Sequence, residues 1–82
     1  MVLVDIFVPS VDKTYDFQLN EDIPISVVIE EIAEMVGQKE KSEIVGELAK
    51  MELCASKTQE VLNKGRTLRD SGIMTGDSLV LV

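Results

Sequence analysis

Glu30 and Glu34 stand four residues apart in a stretch of helical pattern. That spacing puts two carboxylates on one helix face, where they could hold a cation. A solvated helix face is the commoner meaning of such a pair. Cys54 is the only thiol, and no basic residue flanks it closely. A small packing residue is therefore a better reading than a redox nucleophile. The chain has no histidine, which removes the base from any Ser–His or Cys–His pair. With one cysteine it also cannot build a zinc site from Cys and His. Gly72 and Gly76 bracket Ile73 without the spacing of a phosphate loop. No catalytic set, metal site or cofactor site is expected, so the chain reads as a non-enzyme that works by binding.

The bulk composition narrows what it could bind. Eighty-two residues suit a single domain over 1–82. An apolar fraction of 45% suits a packed core and argues against disorder. The formal charge is −7, and residues 20–49 carry eight acids against Lys39 and Lys41. That charge would be repelled by nucleic-acid phosphates and anionic lipid. It serves solubility or attracts a basic protein partner. No run approaches the roughly 18 apolar residues of a membrane span. The first residues lack the basic and apolar regions of a signal peptide. A lone cysteine gives no intrachain disulfide. A cytoplasmic location without membrane insertion is the resulting expectation.

The elements follow from periodicity. Val4, Ile6 and Val8 alternate with Asp5 and Phe7, the pattern of a half-buried strand whose wetter face is the one with Asp5. Pro9–Asp12 supplies turn chemistry, and Tyr15, Phe17 and Leu19 alternate in a second strand, so the two form a hairpin. Pro24 fits the first turn of a helix. Ile25, Val28, Ile29, Ile32, Ala33 and Val36 make one apolar stripe, with Glu30, Glu31 and Glu34 off it and Gly37 as the stop. Ser42 could cap a short helix over Ile44, Val45 and Leu48. Met51, Leu53 and Ala55 mark a third strand and Val61–Leu62 a short fourth. Thr67 to Asp70 resembles a capping box over one helical turn. Thr75–Asp77 is a turn, and Leu79 to Val82 is the last strand.

A hairpin, then a helix, then further strands predicts an α+β fold of β-grasp topology: a mixed four- to five-stranded sheet with one main helix across one face. The first and last strands lie parallel in the middle, as right-handed crossover favours. If Leu79 and Leu81 face the helix, Val80 and Val82 face away. Phe7 and Leu3 on the first strand, and Cys54 and Ser56 on the third, face the same way. Five of these six are apolar, enough for an exposed strip that a partner protein, or a second copy of the chain, could cover.

Gly65-Arg66-Thr67-Leu68-x-Asp70-x-x-Ile73 is similar to the stretch before the last strand of ubiquitin, and Leu79–Val82 resembles that strand. A further likeness is to the YukD-like proteins, ubiquitin-like accessory proteins of bacterial type VII secretion. It rests on Val4-Asp5-Ile6-Phe7-Val8, on Pro24 ahead of Val28-Ile29, and on Leu68-x-Asp70-x-Gly72-Ile73 before Gly76-Asp77. The resemblance implies a cytoplasmic binding module at the periphery of a membrane-embedded secretion machine, with components of that machine as partners. No Gly-Gly tail follows Val82, so the resemblance implies the shape of a conjugated modifier without its chemistry. In ubiquitin the open sheet face carries the main recognition patch, whose central isoleucine falls near Ser56 here, so ubiquitin receptors are not expected to bind. The alternatives are a modifier or sulfur carrier shorn of its tail, or a ubiquitin-like domain of a larger membrane subunit.

Overall fold

The computed structural model describes residues 1–40 and 50–82. The expected short helix around Ile44 to Leu48 lies outside the described residues. Five strands form one mixed sheet: β1 (Val2–Val8), β2 (Lys13–Leu19), β3 (Leu53–Ala55), β4 (Glu60–Val61) and β5 (Ser78–Leu81), in the order β2-β1-β5-β3-β4. β1 pairs antiparallel with β2 and parallel with β5, at the centre of the sheet. Helix α1 (Ile25–Glu40) supplies the second layer. This is the α+β, β-grasp arrangement the patterning predicts.

Alternation decides which residues fill the space between sheet and helix. Val4, Ile6 and Val8 of β1, Phe17 and Leu19 of β2, Leu53 of β3, and Leu79 and Leu81 of β5 are buried. They meet Ile25, Val28, Ile29, Ile32 and Val36 of the helical stripe. Among the described residues no polar or charged residue is buried. The β-branched stripe is a weak helix former, so this burial is what holds α1 in place.

Local chemistry sets the ends. Pro24 precedes α1 and its carbonyl accepts from Val28 N at 3.1 Å, so it caps the helix instead of sitting in its first turn. The next two amides are satisfied from outside: Ile25 N donates to Arg66 O at 2.8 Å and Ser26 N to Lys64 O at 3.1 Å. Gly37 does not stop the helix, which continues to Glu40. Positive φ among the described glycines belongs to Gly72 (75°) and Gly76 (97°), so Gly37 never takes the left-handed conformation that ends a helix. The last turn is instead pinned to β2, where Lys13 Nζ lies 3.0 Å from Glu40. The capping box forms as expected: Asp70 N donates to Thr67 Oγ1 at 3.0 Å and Thr67 N to Asp70 Oδ2 at 3.4 Å. The fourth strand lies one residue earlier than expected. Gln59 turns with φ 57°, Glu60 and Val61 pair with β3, and Leu62 drops into the core.

Surface carboxylates make folding depend on pH. Glu21 is held below its ordinary value of 4.5, chiefly by a hydrogen bond from the amino terminus. Asp22 is held below 3.8, chiefly by Arg69, whose Nε donates to it at 2.7 Å. Glu40 is held below 4.5 by the Tyr15 hydroxyl and then Lys13. Each lowered group binds fewer protons folded than unfolded, so its contribution is present above the ordinary value and lost as pH falls through the folded one. Asp5 has the opposite sign. It sits directly across from Asp16, which holds it above 3.8 first by a side-chain hydrogen bond and then by charge. Its carboxyl favours the fold below 3.8 and loses that effect as pH rises through the folded value. Thermal melts should show a Tm that falls below about pH 4.5, as the three lowered carboxylates are protonated. Asp5→Asn should raise Tm at neutral pH and leave it unchanged at a pH where Asp5 is already protonated.

Candidate protein-binding face

The face of the sheet opposite α1 is covered by no element among the described residues. Register aligns its side chains in rows across the strands. The central row runs Thr14, Phe7, Val80, Cys54 and Val61, each the direct partner of the next, from β2 to β4. Phe7 is 36% exposed and Val61 57%; Val80 and Cys54 between them are half-buried. Four adjacent apolar side chains therefore span three strand spacings, about 14 Å.

The other expected residues flank this row. Val82 lies in the next row toward the end of β5, where its backbone exchanges hydrogen bonds with Glu52 at 2.8 and 2.9 Å. On the opposite side the adjacent row is polar: Asp16, Asp5, Ser78 and Ser56, the last two joined by Ser56 N donating to Ser78 O at 3.0 Å. Leu3 is exposed beyond that row and is cut off from Phe7 by Asp5. So Phe7, Val80 and Cys54 come together, Val82 adjoins them, and Leu3 and Ser56 stand apart from the apolar row. Val61 was not anticipated. Its place depends on the register of a two-residue strand, and no alternation can be read over two residues.

No group of three or more potential metal ligands occurs among the described residues. A depression of about 300 Å³ has Ala55, Leu62 and Ile73 at its floor and Lys57, Glu60 and Asp77 at its rim. The Asp77 carboxylate is already engaged, accepting from Met74 N at 2.9 Å. A second, of about 430 Å³, lies beside Glu21 and Arg69, which are bound to each other at 3.2 Å. No helix among the described residues is long and apolar enough to cross a membrane.

Solved structures similar to this chain include ubiquitin-like domains. The N-terminal ubiquitin-like domain of the 4931431F19Rik protein is similar over 99% of this chain and 72% of its own, with a TM-score of 0.75 and 16% identity. The ubiquitin-like domain of the Arabidopsis thaliana protein At2g32350 covers 99% and 74%, with a TM-score of 0.72 and 20% identity. ATBAG1, solved in complex with HSP70, is similar over 100% of this chain and 40% of its own, with a TM-score of 0.74 and 12% identity. At these identities the likeness is one of fold. No curated protein matches the chain. The family model described as "WXG100 protein secretion system (Wss), protein YukD" matches residues 2–81, so the chain, a ubiquitin-like fold with an open apolar row across its sheet, belongs to the YukD family.

Proposed function

We propose that the protein is a non-catalytic accessory component of a type VII (WXG100) secretion system, one that works by holding another protein of that system against the open face of its sheet. The observation that carries this reading is the row of Phe7, Val80, Cys54 and Val61, uncovered on the side away from α1. An aromatic side chain set among aliphatic ones, away from the core, fits the centre of a protein interface. Val82 extends the surface, and Leu3 and Ser56 lie at its margin. The open apolar row supports an interaction module. Membership of a secretion-system family supports a setting at the cytoplasmic side of the membrane complex, docked on its subunits.

The test is crosslinking in cells that run the secretion system. A photoreactive amino acid replaces Val80 in one variant and the exposed Glu31 of α1 in another. Adducts with a subunit of the secretion machinery should form from position 80 and not from 31. Adducts from position 31 alone would move the docking surface to the helix. Machinery adducts from neither would overturn the assignment to the secretion complex.

A further inference from the structure

The charges around the apolar row carry information about what sits on it. The open-face positions of the strands and their immediate extensions hold three charged residues, Asp5, Asp16 and Glu52, and all are acidic. Asp5 and Asp16 are direct cross-strand partners, an arrangement that costs stability because like charges oppose each other. They stand one row from Phe7 on the same face, about 7 Å away along the strands. Glu52 lies on the other side of the row, beside Val82. The one basic residue of β2, Lys13, is turned to the opposite layer and paired with Glu40. An apolar row with acid on both flanks is complementary to an apolar ridge with basic flanks.

The direction of the row adds shape. It runs across the strands, not along them. An extended peptide pairs with a sheet at its edge through the backbone, and would not lie over this face. A helix laid across the strands presents side chains at i, i+3 or i+4, and i+7 over about 10.5 Å. That fits within the roughly 14 Å from Phe7 to Val61. Helix residues on either side of such a ridge stand over the neighbouring rows, where Asp5 and Asp16 wait on one side and Glu52 on the other.

Resting on the reading that this face docks a protein, we infer that the occupant is an amphipathic helix of another protein, with an apolar ridge over Phe7, Val80, Cys54 and Val61 and arginine or lysine beside it, facing Asp5 and Asp16. A second copy of this chain is a poorer fit, because two such faces would bring acidic flanks together.

Two synthetic helical peptides test this against the isotope-labelled protein by NMR. Both carry leucines at i, i+3 or i+4, and i+7; one has arginines on the flanks and the other glutamates. The arginine peptide should shift the amides of Asp5, Phe7, Asp16, Cys54 and Val80, and should bind about tenfold or more tightly than the glutamate peptide at low salt. Asp5→Asn with Asp16→Asn should shrink that preference while leaving the folded spectrum intact. Equal binding of both peptides at this face would overturn the charge inference and leave the docking face standing. Shifts confined to α1, or no binding by either peptide, would overturn both. Concentration-dependent shifts of these amides in the protein alone would assign the face to a second copy and overturn the helical partner.

Discussion

Ile32→Asp should leave the chain mostly unfolded at room temperature. Ile32 has no exposed surface and lies mid-stripe on α1, within the core formed by the helix and the sheet. Aspartate there replaces the three carbons beyond Cβ with a buried carboxylate, and no basic side chain is buried among the described residues to pair with it. The expected loss is several kcal/mol. A domain of this size has roughly 5–10 kcal/mol in all. Ile32→Val deletes one methylene and should cost only about 1 kcal/mol. Denaturant melts of the pair check this. A loss below about 0.5 kcal/mol for the aspartate variant would mean that α1 does not pack on the sheet as described.

Phe7→Lys should separate stability from binding. Phe7 projects from β1 away from the helix, and its neighbours in the row are Thr14 and Val80. A lysine there keeps the backbone pairing and reaches solvent, so stability should change by about 1 kcal/mol or less. Association should weaken by about 2 kcal/mol or more, as when an aromatic anchor is removed from an interface centre. The added ammonium would also stand near Asp5 and Asp16 and neutralise the charge proposed to attract the partner. The measurement is paired: thermal melting of the variant, then co-purification with secretion-machinery subunits. Unfolding would assign Phe7 to the core and shift the strand by one residue. A folded variant that keeps every association would remove the open face from consideration and leave the acidic helix as the surface to test.

Strong periodicity made most of the fold legible. Three alternate residues of β1 and five of the six stripe residues of α1 are buried, and the sixth, Ala33, is half-buried. The capping box and both glycine turns were readable because each depends on side chains or φ values only a few residue types supply. Gly37 misled because glycine permits a helix stop without enforcing one, and the Lys13–Glu40 pair rewards another turn. Pro24 fits a cap as well as a first turn, and only the Val28 hydrogen bond distinguishes them. The binding row was half legible. Strand order and alternation bring Phe7, Val80 and Cys54 together, but Val61 joins them only through a turn set by the left-handed Gln59. The acidic flank was hidden for a similar reason: Asp5 and Asp16 are eleven positions apart, and only the hairpin register makes them opposite.

The parallel pairing of β1 with β5 constrains how the protein is made. Asp5 meets Ser78 and Phe7 meets Val80, so the centre of the sheet joins two strands that lie far apart in the sequence. Until β5 leaves the ribosome, the nascent chain can form the β1–β2 hairpin and begin α1, but one edge of β1 stays unpaired and Val4, Ile6 and Val8 lack the cover of Leu79 and Leu81. Contacts so distant in sequence slow folding, and uncovered strands invite association with other chains. The sheet therefore closes only once β5 is free to pair, and in the interval the β1–β2 hairpin keeps an open edge.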